Sequence, residues 1–296
     1  MSIYPEIVRN AIVSPTLTVL SYIKPGVYHR YSTDRGLLDI SGVGAAVYDV
    51  IVEAVERGVR VSKGDIPASS VQLGKMLCKV LRRVFSWTGR VDVVSMEMVL
   101  LYPLIALTLS YLKYRGLPGE SQLYKSMNMF LTASTKSDAL EVYSTVKLMG
   151  VEEYVNTMED YGISKGRIEV ESYNIYDIFK ALSKSRLVYH AIIDYSVTSS
   201  TVREITSVYE KTGDLNYAIV RGYISLLVSY SGLLGLESSD VKVLKEILSK
   251  YTTPSREVLK LLYSLDRRFR GYSRLVDVLP VLSNATFIAL TLSIKP

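Results

Sequence analysis

The chain has 296 residues, 48% hydrophobic and 22% charged, which excludes a disordered or fibrous protein because enough apolar side chains are present for a core. A single cysteine, Cys78, excludes an internal disulfide and a cysteine-rich metal site, and two histidines exclude a histidine-rich one. Lys and Arg number 35 against 29 Asp and Glu, and the net charge of +6 suits a phosphate-bearing partner without identifying a nucleic-acid-binding protein.

Hydrophobic side chains recur with helical spacing along almost the whole chain. In the first half this spacing predicts helices over residues 43–58, 73–85, 98–112, 123–133 and 139–149. In the second half it predicts helices over residues 174–195, 201–211, 215–230, 240–250, 254–270 and 282–294. Strand signals are limited to two short alternating runs, 59–61 and 167–171, which predict at most a minor hairpin.

Two segments define the expected organisation of the chain. Residues 98–112 are apolar on every side, as a helix surrounded by other helices would be. Residues 154–172 are polar and contain glycine, and they predict a long connection rather than a domain boundary. We therefore expect one all-α domain over residues 1–296, a large helical bundle around a buried central hydrophobic helix.

Three stretches are apolar enough to be tested as membrane spans, namely 98–112, 217–236 and 275–294. The first is shorter than the ~20 residues that a spanning helix needs, and the other two are interrupted by Arg221 and by Asp277. The N-terminus carries Glu6 and Arg9 and lacks the long apolar run of a signal peptide. We expect a cytoplasmic protein without a membrane partner.

The segment best suited to a binding site is residues 22–31, where Lys24-Pro25-Gly26 precedes His29 and Arg30. Backbone amides in such a turn, beside Lys and Arg side chains, can hold an anion. Arg35 follows closely and adds another cation. The alternative is a solvated surface turn without a ligand, since short motifs often match by chance.

Four blocks of the sequence occur in an order that is shared with a known family. They are Lys24-Pro25-Gly26 with Arg30, Trp87-Thr88-Gly89 before the apolar run at 98–104, Asp138-Ala139 with Tyr143, and Leu279-Pro280 with Asn284-Ala285. In this order, from about residue 12 to residue 292, the chain resembles the triphosphoribosyl-dephospho-CoA synthase family.

The resemblance implies an all-α protein that transfers a triphosphoribosyl group from ATP to dephospho-CoA with loss of adenine. Such chemistry implies Mg²⁺ as a cofactor bound with ATP, and a phosphate-bearing small molecule as the partner. We predict that phosphate or nucleotide is bound by Lys24, Gly26, Arg30, Arg35 and Asn284.

Departures from the family pattern fall where the chemistry needs particular groups. His29 stands where the family has an acid beside the arginine, and Asp92 and Glu97 are the polar groups that remain where the family has an Asn-Thr-x-x-Gly segment. Asn284 replaces an acid near the last helix, which weakens cation binding because a full charge is removed. We predict His29, Asp92 and Glu97 as the candidate catalytic residues, and we expect transfer to be weak or lost.

Three functions remain open from the sequence. The first is a diverged synthase-like protein that binds a nucleotide or CoA-like phosphate ligand. The second is a non-catalytic helical interaction protein on the same fold. The third is a basic nucleic-acid-binding helical domain, which the mild charge excess disfavours. The sequence leaves the metal ligands open and is compatible with an oligomer.

Overall fold

The computed structural model describes residues 4–32, 36–117 and 119–294, and every regular element in these ranges is a helix. The first helices are α1 (Tyr4–Leu20), α2 (Gly36–Ala46), α3 (Tyr48–Lys63), α4 (Leu73–Thr88), α5 (Val93–Leu100), α6 (Tyr102–Tyr114), α7 (Glu120–Ala133), α8 (Lys136–Leu148) and α9 (Glu152–Asp160). They are followed by α10 (Lys165–Glu171), α11 (Ile175–Leu182), α12 (Leu187–Ile193), α13 (Tyr195–Thr212), α14 (Leu215–Ser229), α15 (Ser231–Leu234), α16 (Ser238–Lys250), α17 (Arg256–Phe269) and α18 (Leu279–Leu292). Short 3-10 turns lie at Ala68–Ser70 and Ser273–Val278. The predicted all-α fold is confirmed.

Several helix boundaries follow capping signals in the sequence. At the start of α8, Thr135 accepts the Asp138 N–H while Asp138 accepts the Thr135 N–H, so that two otherwise unpaired donors are satisfied. Asn174 and Asp177 form the same reciprocal pair at the start of α11. Helix α3 ends at Gly64, whose φ of 82° is the left-handed conformation that glycine adopts without a Cβ clash.

The central apolar run is two helices, α5 and α6, which meet at Leu101. Pro103 lies in the first turn of α6, where its missing N–H costs no hydrogen bond, whereas a continuous helix would lose one there. Every residue from 98 to 112 is buried except the partly exposed Tyr111. The expected burial of this segment is therefore confirmed, although it is not one unbroken helix.

Residues 154–172 are not a long connection, because they form most of α9 and all of α10. Tyr154 and Met158 are the buried side chains of α9, and Ile168 is the buried side chain of α10. Helix α9 packs on α8 and α11, and α10 packs on α8. Helices this short bury one or two side chains each, so that they leave no extended hydrophobic period in the sequence.

The predicted hairpin is wrong, since residues 59–61 lie within α3 and residues 167–171 lie within α10. The helix predicted over 43–58 is divided as well, because α2 ends at Ala46 and α3 starts at Tyr48, and the helix predicted from 201 starts at Tyr195. Other predicted boundaries differ too. The single helix expected over 174–195 is divided into α11 and α12 by a turn at residues 183–186, and the last helix starts at Leu279 rather than at 282.

Two helical stretches, Val93–Tyr114 and Ser273–Leu292, are long and apolar enough to cross a membrane by length and composition. In the fold, 89% and 83% of their most apolar windows are buried by the rest of the chain. Helix α18 packs against α1, α5, α6 and α13. The position of these stretches among other helices accounts for their apolar composition.

The buried apolar side chains of the described chain form one continuous cluster. Asn10 joins the two ends of the sequence there, because its side-chain amide donates to Leu290 O at 3.0 Å. Tyr102 of α6 forms a 2.6 Å hydrogen bond with Ser283 Oγ of α18. The single-domain organisation stays a prediction.

Candidate functional site

The turn that was predicted to bind phosphate is docked on α17 through one carboxylate. Asp266 Oδ1 accepts the Gly26 N–H at 3.0 Å, and Asp266 Oδ2 lies 3.6 Å from His29 Nε2. Arg270, one helical turn further, donates to the same Oδ2 at 3.0 Å. The largely buried Asp266 therefore occupies the anion position at the Gly26 amide.

Gly26 is required both by its backbone conformation and by close packing. Its φ is 79°, and a Cβ at this position would lie 2.6 Å from Leu275 Cδ1 and 2.8 Å from Phe269 Cβ. The preceding carbonyl is also bound, since Tyr223 OH donates to Pro25 O at 2.7 Å. The turn is thus fixed to α14, α17 and the 3-10 turn Ser273–Val278.

Lys24 lies beneath this turn and is fully buried. Its Nζ donates to Val19 O at 3.3 Å, to Ser21 O at 3.2 Å and to Ser21 Oγ at 3.0 Å. Among the described residues, no carboxylate lies within ion-pair distance of Lys24. Burial, and to a lesser degree the charge of Arg30, lowers the pKa of Lys24 well below its ordinary value. Lys24 thus satisfies carbonyl groups at the end of α1 instead of facing solvent.

Arg30 is exposed on the outer side of the same loop. Its Nε donates to Leu20 O at 3.0 Å, and its Nη2 donates to Asn216 Oδ1 at 2.6 Å. The guanidinium group lies over the Tyr22 ring, 4.9 Å from its centre. Arg35, the other predicted phosphate ligand of this region, lies outside the described residues.

His29 and Asp266 form a buried pair beneath the loop. The Tyr31 N–H donates to His29 Nδ1 at 3.2 Å, which assigns the proton of the neutral ring to Nε2, on the side of Asp266. Nε2 itself has no hydrogen-bond partner among the described residues. Burial lowers the pKa of His29, and this effect exceeds the opposing attraction of Asp266. In this pair the His29 ring is neutral and carries its proton on Nε2, on the side of Asp266.

A cavity of about 380 Å³, here called the loop cavity, opens beside this pair. Its lining residues come from the loop, α17 and the following 3-10 turn: Gly26, Val27, Tyr28, Tyr31, Ser32, Asp266, Arg270 and Val276. Arg270 contributes a cation to the wall. Tyr31 is 57% exposed and its ring lies 6.5 Å from the Tyr263 ring, so that an exposed aromatic side chain borders the cavity.

The two carboxylates that were predicted to be catalytic have intramolecular partners. Asp92 caps α5 by accepting the Ser95 N–H at 3.1 Å. Glu97 is buried, and its oxygens accept Arg186 Nε at 2.8 Å and Arg186 Nη2 at 2.7 Å. Tyr154 OH adds a third hydrogen bond to Glu97, at 2.5 Å. Burial raises the pKa of Glu97, and the Arg186 and Tyr154 contacts oppose that rise.

Arg186 is a central residue that the sequence did not reveal. Besides Glu97, it contacts Glu153, with Nη1 3.3 Å from Oε1, and Asp277, with Nη2 3.4 Å from Oδ1. The nearest sequence signal is the polar turn 183–186 between two apolar helices. The sequence of that turn does not indicate which distant acidic residues Arg186 contacts.

A second cavity, of about 440 Å³, lies against this residue and is here called the Arg186 cavity. Its lining residues are Glu153, Ser183, Lys184, Ser185, Arg186, Leu187, His190, Leu233, Arg274 and Asp277. The 3-10 turn Ser273–Val278 borders both cavities, because Val276 lines the loop cavity while Arg274 and Asp277 line the Arg186 cavity.

The structure brings only some of the predicted residues together. Gly26 and His29 meet at Asp266, next to the loop cavity. Glu97 belongs to the Arg186 cluster instead. Asn284 is buried in α18 and lines neither cavity, and its Oδ1 has no hydrogen-bond partner among the described residues.

The Mg²⁺ ion that the resemblance implies would have to be held mainly by the phosphates of its nucleotide, because the described residues offer no ready-made cage of protein ligands. Within residues 4–32, 36–117 and 119–294, no three His, Cys, Asp or Glu side chains are grouped so that they could hold a metal. Asp92 and Glu97, the acids predicted for this region, are occupied by a helix cap and by a guanidinium group.

Comparison with known proteins gives a distant structural likeness. No protein-family model matches the chain, and no curated protein matches it. Among solved structures, the chain is similar to a protein from Archaeoglobus fulgidus to which triphosphoribosyl-dephospho-CoA synthase activity is attributed. The two are 14% identical, the similarity covers 82% of this chain and 96% of that chain, and the TM-score is 0.49. The likeness is distant and is one of overall fold.

Proposed function

We propose that this chain is a diverged relative of triphosphoribosyl-dephospho-CoA synthases that binds a nucleotide or CoA-like phosphate ligand in the loop cavity, with triphosphoribosyl transfer weak or lost. The order of the sequence blocks from Lys24 to Asn284 supports the relationship. The ligand and the loss of transfer are each supported by a separate feature of the geometry.

The chemistry of the loop cavity supports a phosphate-bearing ligand. Its volume of about 380 Å³ falls in the range of small-molecule sites. Arg270 uses one nitrogen on Asp266, and its remaining donors can bind a phosphate oxygen. The exposed Tyr31 ring offers a stacking surface for a base. Arg30 on the same loop adds positive charge nearby, which favours an anion.

The observation that carries the loss of transfer is the ion pair between Glu97 and Arg186. Metal-assisted transfer needs carboxylates that can hold the ion. Glu97 has both oxygens engaged with one guanidinium group, at 2.8 and 2.7 Å. Asp92 is engaged at the N-terminus of α5, so that using either acid for a metal would cost a structural contact.

The ligand can be tested by isothermal titration of ATP, CoA and dephospho-CoA, with and without Mg²⁺. We expect Arg270→Ala to weaken binding more than tenfold, which corresponds to about 1.4 kcal/mol. Arg267→Ala is the matched control, because Arg267 is an exposed arginine in the last turn of α17, three residues before Arg270, and does not line the cavity. Equal affinities for both variants would remove the loop cavity from the proposal. Salt-sensitive RNA binding without nucleotide affinity would favour the nucleic-acid alternative.

A further inference from the structure

Five charged side chains line the Arg186 cavity, and together with Glu97, which pairs with Arg186 from behind, their formal charges cancel. Lys184, Arg186 and Arg274 are positive. Glu153 and Asp277 on the wall, and Glu97 behind Arg186, are negative. A ligand with a single charge would pair with side chains of one sign and leave those of the other sign without a partner on the ligand.

The positive side retains unused hydrogen-bond donors. Among the described residues, Lys184 Nζ has neither a hydrogen-bond nor an ion-pair partner. Arg274 uses Nη1 on Leu233 O at 3.1 Å and has no short contact at Nη2. His190 contacts Tyr230 OH through Nδ1 at 3.3 Å, and no protein partner within the described ranges meets its Nε2. Donors from three separate elements thus converge on one space.

The negative side retains unused acceptors. Glu153 is about half exposed and contacts Arg186 through Oε1 at 3.3 Å, so its Oε2 is available. Asp277 lies 3.4 Å from Arg186 and 3.7 Å from Arg274. Both distances exceed the 2.7–2.9 Å that is typical of a charge-assisted hydrogen bond. Glu97, in contrast, is saturated by Arg186 and Tyr154.

The available donors and acceptors lie next to each other. Arg274 Nε and Asp277 Oδ2 are 3.7 Å apart, three residues from each other on the same 3-10 turn. A ligand that meets both must carry an anionic and a cationic group close together. Leu187 and Leu233 add an apolar part to the wall.

We propose that the Arg186 cavity binds an α-amino acid with an apolar side chain. Its carboxylate is bound by Lys184 and Arg274, and its ammonium group is bound by Asp277 and Glu153. The side chain lies against Leu187 and Leu233. This site is separate from the loop cavity and does not depend on the phosphate ligand proposed there.

Calorimetry with leucine, methionine and phenylalanine tests the site directly in the full chain. N-acetyl-leucine lacks the ammonium group and leucinamide lacks the carboxylate, so that each probes one half of the cavity. We expect an amino acid to bind and both analogues to bind at least tenfold more weakly. Lys184→Ala should weaken amino-acid binding at least tenfold, because it removes an exposed donor without a structural contact.

Lys180→Ala is the matched control, since Lys180 is exposed on the preceding helix and does not line the cavity. It should leave the affinity unchanged. The proposal is overturned if none of the three amino acids binds, or if N-acetyl-leucine or inorganic phosphate binds as tightly as the amino acids. ATP titration of the Lys184→Ala variant separates this result from the proposed function, because it should match the unmodified chain.

Discussion

Glu97 and Arg186, which are 89 residues apart in the chain, face each other in the core through two hydrogen bonds of 2.8 and 2.7 Å. Both side chains are largely or fully buried. The pair connects α5 to the turn before α12, and it extends through Arg186 to Glu153 and Asp277. Removing one member would leave the other as an uncompensated buried charge.

We expect Arg186→Met to lower the free energy of unfolding by about 3–5 kcal/mol, because Glu97 loses its main partner while it stays buried. The double variant Glu97→Leu with Arg186→Met should recover part of this loss, since no buried charge remains. Guanidinium chloride denaturation measures both. A loss below about 1 kcal/mol in the single variant, the range of an exposed pair, would contradict this view of the pair.

The same variant should acquire a characteristic pH dependence. Burial raises the pKa of Glu97 even with Arg186 present, and the pKa rises further when that guanidinium is removed. An acid with a raised folded-state pKa contributes stability at low pH that is lost as the pH rises through that pKa. Unfolding curves of Arg186→Met should therefore show greater stability at pH 5 than at pH 8, with a steeper fall than in the unmodified chain.

Lys24→Met should change how the free energy of unfolding depends on pH in the alkaline range. The folded-state pKa of Lys24 is lowered from 10.5, so the unfolded chain binds more protons in the window that extends down from this value. In that window the free energy of unfolding of the unmodified chain rises with pH, by up to about 1.4 kcal/mol per pH unit. This stability is lost as the pH falls toward the folded-state pKa. Lys24→Met should flatten the rise, whereas Lys136→Met, at an exposed lysine, should preserve it.

Alanine substitutions at two glycines can distinguish the cost of backbone strain from the cost of a steric clash in the loop at Gly26. Gly26 and Gly64 have similar positive φ values, 79° and 82°, but a Cβ meets close atoms only at Gly26. We expect Gly64→Ala to cost about 1–2 kcal/mol, from its left-handed conformation alone. Gly26→Ala should cost clearly more and should also weaken ATP binding. Equal losses of stability, measured by thermal or chemical denaturation, would show that Leu275 and Phe269 can move away from a Cβ at residue 26 without loss of stability.

The sequence was sufficient for the fold class because apolar side chains recur with helical spacing over most of the chain. It also located a deeply buried segment, since residues 98–112 have no polar face. It failed at α9 and α10, where each short helix buries too few side chains to leave a period. It did not indicate that two helices meet at Leu101, with Pro103 in the first turn of the second.

The site was less accessible to sequence analysis, because its contacts join distant residues. Gly26 and His29 are close in sequence and do lie together, but Asp266, which accepts the Gly26 N–H and lies 3.6 Å from His29, is 240 residues from Gly26. A lysine beside a Pro-Gly turn is typical of a surface phosphate ligand. The neighbouring residues in the sequence do not indicate that the Lys24 ammonium group is buried against carbonyl oxygens. A single sequence contains no signal for pairs of this kind.

Release of adenine from ATP in the presence of dephospho-CoA and Mg²⁺ is the most direct measurement of the central claim. We expect no release above background from protein that binds ATP by calorimetry, because Asp92 and Glu97 are held by intramolecular contacts. Sustained release that Asp92→Ala abolishes would contradict this expectation, since it would show that the Asp92 carboxylate leaves the N-terminus of α5 and takes part in the transfer.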